Sequence, residues 1–363
     1  MFGRILQVLT MKSPDSPSAV TRSSVASEEL STRRAQLLSS IKTFIVILST
    51  SIISFIAFRN TLTWYLQRFW GASGDFWQSQ WEKVLDVCGH NEFNVGFFGS
   101  FIATFTVYWI VGMCYTLIDL TGRPAFLLKY KIQEPNNTAY PVSRSQIYGV
   151  LRQVLINQFL IGIPFTLMGH YLMRWRGYDW GKLPTFQWVI LELSLCILIE
   201  ELGFYYSHRL LHNPRLYKYI HKQHHEWQTP IAITAIYCHP IEHIFSNLLP
   251  PFLGPLVLGS HTATAWLWFT LATLSTLNAH SGFHFPFFPS PEAHDYHHLK
   301  FNQNFGVLGV LDRLHGTDSQ FRKTKAYERH IMLLSLVPIK ELYPDETKKS
   351  TKSDDTCSTS KEE

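Results

Sequence analysis

Thirteen of the 17 histidines in this 363-residue chain fall between residues 208 and 298, about one position in seven. Their spacing is ordered. His208 and His212 lie four apart, as do His280 and His284; His221, His224 and His225 read HKQHH, and His294, His297 and His298 read HDYHH. On a helix, residues three or four apart share a face, so each motif can turn two imidazoles toward one site. In HxxHH the first histidine shares a face with each of the other two, whereas the adjacent pair diverges by about 100°. One such motif can therefore feed two neighbouring ions. Ten imidazoles exceed the roughly four ligands of a single zinc and suit two ions with several positions each. Imidazole accepts zinc, copper, nickel and iron, so ligand type alone leaves the metal open.

Nearby residues could support such a site. His239, Glu242 and His243, in HPIEH, read as ligands or as groups that orient ligand imidazoles, the second role being favoured. Asp295, inside HDYHH, is a further candidate for that orienting role. The isolated His90, His170, His261 and His330 read as hydrogen-bonded packing residues, and His315 as structural. Glu200 and Glu201 follow an apolar run, where a buried acid pair and a helix end meeting water explain them equally.

The elements that must position these residues are apolar. Runs at 43–58, 97–118, 154–172 and 186–199 read as spans. Two further pieces within 244–279, broken by Pro250, Pro251, Pro255 and the turn Gly259-Ser260-His261, read as a hairpin dipping into the bilayer. The expected fold is all-α: a multi-span helical membrane protein with a cytosolic, helical, histidine-rich di-metal cap. The expected organisation is a disordered cytosolic tail at 1–41, a bundle of about four spans at 42–206, the di-metal region with its hairpin at 207–330, and a polar tail at 331–363. Charged residues are only 16% of the chain and hydrophobic ones 46%, against roughly 25% charged in soluble domains. The net charge of +5 is spread out and no nucleic-acid-binding module is present, which argues against a nucleic-acid partner. Five scattered cysteines without a CxxC pair argue against a disulfide scaffold and a zinc–thiolate site.

Basic residues suggest the orientation. Arg4, Lys12, Arg22, Arg33, Arg34 and Lys42 precede the first span, and Arg123, Lys129, Lys131, Arg144 and Arg152 follow the second. The positive-inside rule places these segments, the histidines and both termini in the cytosol, although Arg174, Arg176 and Lys182 argue mildly the other way. The sequon Asn136-Asn137-Thr138 would then stay unmodified. The N-terminal segment has no long apolar run, so a cleavable signal peptide is not expected.

The ordered set HRLLH, HKQHH, HSGFH and HDYHH, within HRLLHNPRLYKYIHKQHHEW, YCHPIEH and HDYHHLKFNQNFGVLGVLDRLHGTD, resembles the fatty acid hydroxylase superfamily of membrane di-iron enzymes, and its 4-methylsterol oxidase branch in particular. The likeness covers about residues 150–320. The resemblance implies an endoplasmic reticulum membrane location and two irons held by His208, His212, His221, His224, His225, His280, His284, His294, His297 and His298. It also implies dioxygen as oxidant, and electrons from an external cytochrome b5 and its NAD(P)H-dependent reductase. The sequence carries no HPGG haem motif, GxGxxG fingerprint or ferredoxin cysteines of its own. An unactivated C–H bond is beyond acid–base catalysis and calls for a metal cofactor. The favoured substrate is a sterol 4-methyl group drawn from the bilayer. A fatty acyl or sphingolipid hydroxylase is the alternative within the class, and a regulatory membrane protein with a retained metal site the alternative outside it. A histidine-rich transporter is disfavoured, because the histidines cluster outside the spans.

Overall fold

The computed structural model describes residues 19–133 and 144–345. Among the described residues every named element is helical, and pairing between extended segments is limited to an isolated bridge, Lys131 with Phe283. Contacts divide the chain into two compact units, Met1–Ser73 and Gly74–Glu363. The first unit holds most of α1 (Ala19–Val87). The expected disordered tail at 1–41 is therefore corrected: the backbone is helical from Ala19 onward, and only residues 1–18 of that expectation lie outside the described residues. Helix-forming Glu28–Leu38 leads without a breaker into the apolar run, so the helix has no reason to start at residue 42.

The second unit carries the remaining elements. Besides helices of five residues or fewer, these include α2 (Ser100–Thr121), α3 (Arg144–Ile156), α4 (Ile163–Arg176), α5 (Phe186–Leu211), α6 (Leu249–Leu258), α7 (Thr262–Ser281), α8 (Glu292–Lys300) and α9 (Val310–His315). π-helical turns precede α2, α4 and α6 at Asn94–Gly99, Asn157–Gly162 and His243–Leu248. Such turns re-aim side chains within a helix. In the second of them the buried Asn157 donates to the carbonyls of Ile236 and Cys238 at 2.9 Å each, pinning the end of the 3-10 turn Ala232–Ile236 that leads into HPIEH.

Four helices are long and apolar enough to cross a membrane: Ser31–Ile56, Asn94–Thr121, Ser145–Arg176 and Pro240–Leu258. Three coincide with expected spans. The expected fourth, at 186–199, lies in α5, which is long enough at 26 residues but is not among the four. Its Glu192, Glu200 and Glu201 lower its hydropathy, and all three are buried. Over the segment where a membrane hairpin is expected, the chain forms α6, a turn at Gly259–His261 and α7.

Close approach of backbones holds the unit together. α5 and α6 cross where Gly254 meets Cys196: a Cβ there would come within 2.9 Å of the Cys196 Cα. Small residues at such crossings let helices pack without strain. The main core joins α2, α3 and α7 to the 3-10 turn Ala232–Ile236, with Tyr108, Val154, Ile233 and Leu277 buried at its centre. The polar tail expected at 331–363 is corrected in its first part. Leu333 and Ile339 are buried in the same core, and Arg329 donates to the Tyr343 carbonyl and pairs with Asp345 at 2.8 Å. These two apolar anchors suffice to fold 331–345 back onto the body, and residues 346–363 lie outside the described residues.

Candidate metal centre

Helix ends and turns of this unit deliver the histidines. His208 occupies the last turn of α5 and His212 caps it. Asn213 then caps the short helix Pro214–Tyr217, which reverses the chain so that His221, His224 and His225 face back toward α5. His280 lies in the last turn of α7, and His294, His297 and His298 lie along α8. Nε2 of His221 is 3.2 Å from that of His208, 2.9 Å from that of His212 and 3.0 Å from that of His225. His225 Nε2 is in turn 3.2 Å from His297 Nε2. His208, His212, His221, His225 and His297 thus make one group. In the second, His280 Nε2 is 3.3 Å from His224 Nε2 and 2.9 Å from His294 Nε2, with His298 Nε2 3.2 Å beyond His294. Each HxxHH motif feeds both groups: the adjacent His224 and His225 diverge, as do His297 and His298.

The opposite ring nitrogens fix the tautomers. Nδ1 of His208 faces the Phe305 carbonyl at 2.9 Å, and that of His297 faces the Gln303 carbonyl at 2.7 Å. Nδ1 of His280 and of His298 face the carbonyls of Thr276 and Trp227 at 2.8 and 3.0 Å. A carbonyl only accepts, so each of these Nδ1 atoms donates and each Nε2 keeps its lone pair. Lone pairs pointed at one another across 2.9–3.3 Å repel unless a cation lies between them. With metal–nitrogen bonds of about 2.1 Å, adjacent ligand nitrogens on one ion stand about 3.0–3.4 Å apart, so the donor sets fit a metal ion in each group. Burial, reinforced by neighbouring imidazoles, keeps these rings neutral as ligands must be. It holds His208 down at about 4 and His212 at about 2, and lowers His221, His224, His225, His294, His297 and His298 as well.

His284 is placed apart from both groups, although it is fully buried; its Nε2 contacts the Ile331 carbonyl at 2.9 Å. HSGFH does not share a helical face because α7 ends at Ser281: Gly282 takes φ 67°, and Phe283 enters the bridge to Lys131. Among the expected orienting residues, Glu242 reaches the centre. Its Oε1 lies 2.9 Å from His221 Nδ1, with both side chains buried, at an angle too bent for a linear hydrogen bond. His243 is buried beside it. His239 instead caps the helix Pro240–Glu242 through Nδ1, and Asp295 accepts from Gln133 Nε2 at 2.7 Å. Neither contacts a clustered imidazole, because each already serves a local backbone or side-chain donor.

Two carboxylates build the support for this centre: Glu201, whose burial the sequence leaves open, and Asp312, which the sequence does not single out. Glu201 is 3% exposed and accepts from the backbone N–H groups of Val307, Leu308 and Leu311 at 2.7, 2.8 and 3.1 Å. Asp312 accepts from Phe305 N, Gly306 N and Thr317 Oγ1. Between them they fix the loop whose Gln303 and Phe305 carbonyls orient His297 and His208. Only glycine fits at 306, where a Cβ would lie 2.8 Å from Glu201 Oε1. An ionisable residue inside an apolar run was the available signal for Glu201; its partners, over 100 residues away, were not readable.

The histidines open onto a cavity of about 490 Å³. His208, His221 and His224 line one part of it, and Phe101, Phe105, Phe165 and Phe252 line the apolar remainder between α2, α4 and α6. Its volume suits a drug- or lipid-sized molecule.

The fatty acid hydroxylase family model matches residues 193–317, the segment that holds both histidine groups. Fatty acid hydroxylase domain-containing protein 2 of Homo sapiens is 48% identical over 322 residues, 88% of this chain and 96% of its own length. The chain belongs to the fatty acid hydroxylase family. The Macaca fascicularis protein of the same name is 49% identical over 304 residues, 84% of this chain and 91% of its own. Methylsterol monooxygenase 1 of Rattus norvegicus is 32% identical over 255 residues, 67% of this chain and 84% of its own length. No solved structure matches the chain. Relatives in the superfamily include proteins named as a monooxygenase and as an aldehyde decarbonylase, and this chain is a multi-pass helical membrane protein with histidine clusters able to hold metal.

Proposed function

We propose that this chain is a di-iron monooxygenase that oxidises a lipid C–H bond, with a sterol 4-methyl group as substrate. The observation that carries the reading is the convergence of nine histidine Nε2 atoms in two groups, with His208, His221 and His224 lining a cavity that has phenylalanine walls. His208, His212, His221, His225 and His297 would hold one iron, and His224, His280, His294 and His298 the other. Bound iron supplies activation of dioxygen, chemistry beyond the reach of protein side chains. The chain's own residues do the rest. The carbonyls of Phe305 and Gln303 hold His208 and His297 in the binding tautomer, and Glu242 restrains His221. The phenylalanine walls take up the lipid and exclude water.

The sterol preference draws on the likeness to a protein named for methylsterol oxidation. Electrons would come from cytochrome b5 and its NAD(P)H-dependent reductase. The protein would lie in the endoplasmic reticulum membrane with its histidines and termini in the cytosol, and Asn136 would carry no glycan. The test is oxidation of a 4-methylsterol by membranes containing the full chain, iron, NADH, cytochrome b5 and reductase, alongside lipid profiles of cells lacking the protein. Product formation and accumulation of 4-methylsterols support the reading. Loss of 2-hydroxy lipids would move the substrate to the fatty acyl or sphingolipid class, and no change in any lipid would favour the regulatory role.

A further inference from the structure

We infer that Glu242, His243 and Ser246 form a subsite for a lipid hydroxyl carried next to the carbon that is oxidised; this rests on the oxygenase reading above. The three residues share one turn, at the junction of the helix Pro240–Glu242 with the π turn His243–Leu248. They are 2%, 3% and 3% exposed. Yet Glu242 Oε2, His243 Nδ1 and Ser246 Oγ have no hydrogen-bond partner, and all three residues line the cavity that His208, His221 and His224 also line. Buried polar atoms are almost always paired, so three unpaired ones on one turn point to a partner inside the cavity. The neighbouring Asn247 is already committed, to Cys238 Sγ.

The chemistry selects the partner. A carboxylate oxygen needs a donor, and a serine hydroxyl both donates and accepts. A hydroxyl can donate to Glu242 Oε2 while accepting from Ser246 or His243. A hydroxyl pairs with Glu242 whether the buried carboxyl is ionised or protonated, which a carbonyl or ether oxygen does not. Glu242 also sets the distance from the metals, since its other oxygen touches His221. A group bound here is therefore close to the first histidine group, and carbons one or two bonds from the hydroxyl-bearing carbon are the ones presented for oxidation. A 4-methylsterol meets this requirement, because its hydroxyl stands on the ring carbon adjacent to the one bearing the methyl. Thr262, another lining residue with an unpaired hydroxyl, lies 18 residues from His280 along α7, about 27 Å away, too far to hold the same group.

The test gives iron-loaded membranes of the full chain, with NADH, cytochrome b5 and reductase, a 4-methylsterol and its 3-deoxy counterpart, using wild type, Ser246→Ala and His243→Leu. Wild type is expected to oxidise the methyl beside the hydroxyl and to prefer the alcohol by at least about 100-fold in kcat/KM. Each variant is expected to narrow that ratio about tenfold or more through loss on the alcohol, while keeping the wild-type metal content. Equal use of alcohol and deoxy compound, or oxidation remote from the hydroxyl, overturns the subsite and leaves the oxygenase reading standing. A ratio unchanged in both metal-replete variants overturns it too. Oxidation of neither sterol overturns the sterol reading and the subsite together.

Discussion

Glu242 and His221 meet at 2.9 Å, carboxylate to Nδ1, with both side chains almost wholly removed from solvent. They come from different segments, 21 positions apart, and the contact leaves His221 Nε2 free to face His208, His212 and His225. Orienting carboxylates of this kind raise ligand basicity and fix the ring. Glu242→Ala is expected to weaken metal binding at the first group by about 10- to 100-fold, and Glu242→Gln by less. Metal titration followed by equilibrium dialysis measures this. Equal affinity in wild type and Glu242→Ala would separate Glu242 from the centre.

His284 and His280 make a matched comparison. His280→Ala removes an Nε2 from the second group and is expected to lose one metal per chain, together with all oxidation. His224→Ala and His225→Ala are expected to abolish oxidation for the same reason. His284→Gln keeps a side chain able to donate to the Ile331 carbonyl and is expected to retain wild-type metal content. Loss of a metal from His284→Gln, at normal protein abundance, would return His284 to the ligand set.

Glu201→Ala is expected to cost about 3 kcal/mol or more of stability, because three buried N–H groups lose a charged acceptor together. The loop carrying the Phe305 carbonyl would loosen with it, so metal retention should fall alongside the unfolding temperature. Thermal unfolding in detergent with parallel metal analysis reads both. An unfolding temperature equal to wild type would remove Glu201 from the support of the loop.

The histidine groups were legible because their signal is local: types and spacing alone place His221, His224 and His225 on two diverging faces. His284 falls outside both groups, since Gly282 ends the helix between His280 and His284 and a four-residue spacing carries no meaning across an αL glycine. Glu201 and Asp312 were illegible for the opposite reason. Their roles lie in backbone donors of a loop far away in sequence, and a glutamate after an apolar run is equally the end of a helix. Three spans were readable from hydropathy. The fourth expected one lies in the 26-residue α5, whose buried Glu192, Glu200 and Glu201 lower its hydropathy. The C-terminal segment reads as polar by composition, yet the two apolar side chains of Leu333 and Ile339 anchor it.

Metal removal should make stability depend on pH. Burial depresses His208 from its ordinary 6.5 to about 4, and lowers its neighbours too. The unfolded chain therefore takes up protons first as pH falls, so the chelated protein should lose stability progressively from pH 6.5 downward through about 4. Above pH 6.5 both states leave these rings neutral, and no dependence from them is expected. Unfolding temperatures of chelator-treated protein across pH 4–8 check this; a stability that rises on acidification contradicts it.

The central claim, two metal ions in two histidine groups that serve oxidation, is tested most directly by the metal content of protein purified anaerobically from iron-replete cells. About two irons per chain are expected, falling to about one in His280→Ala. One tightly held zinc with no iron binding under those conditions would contradict it.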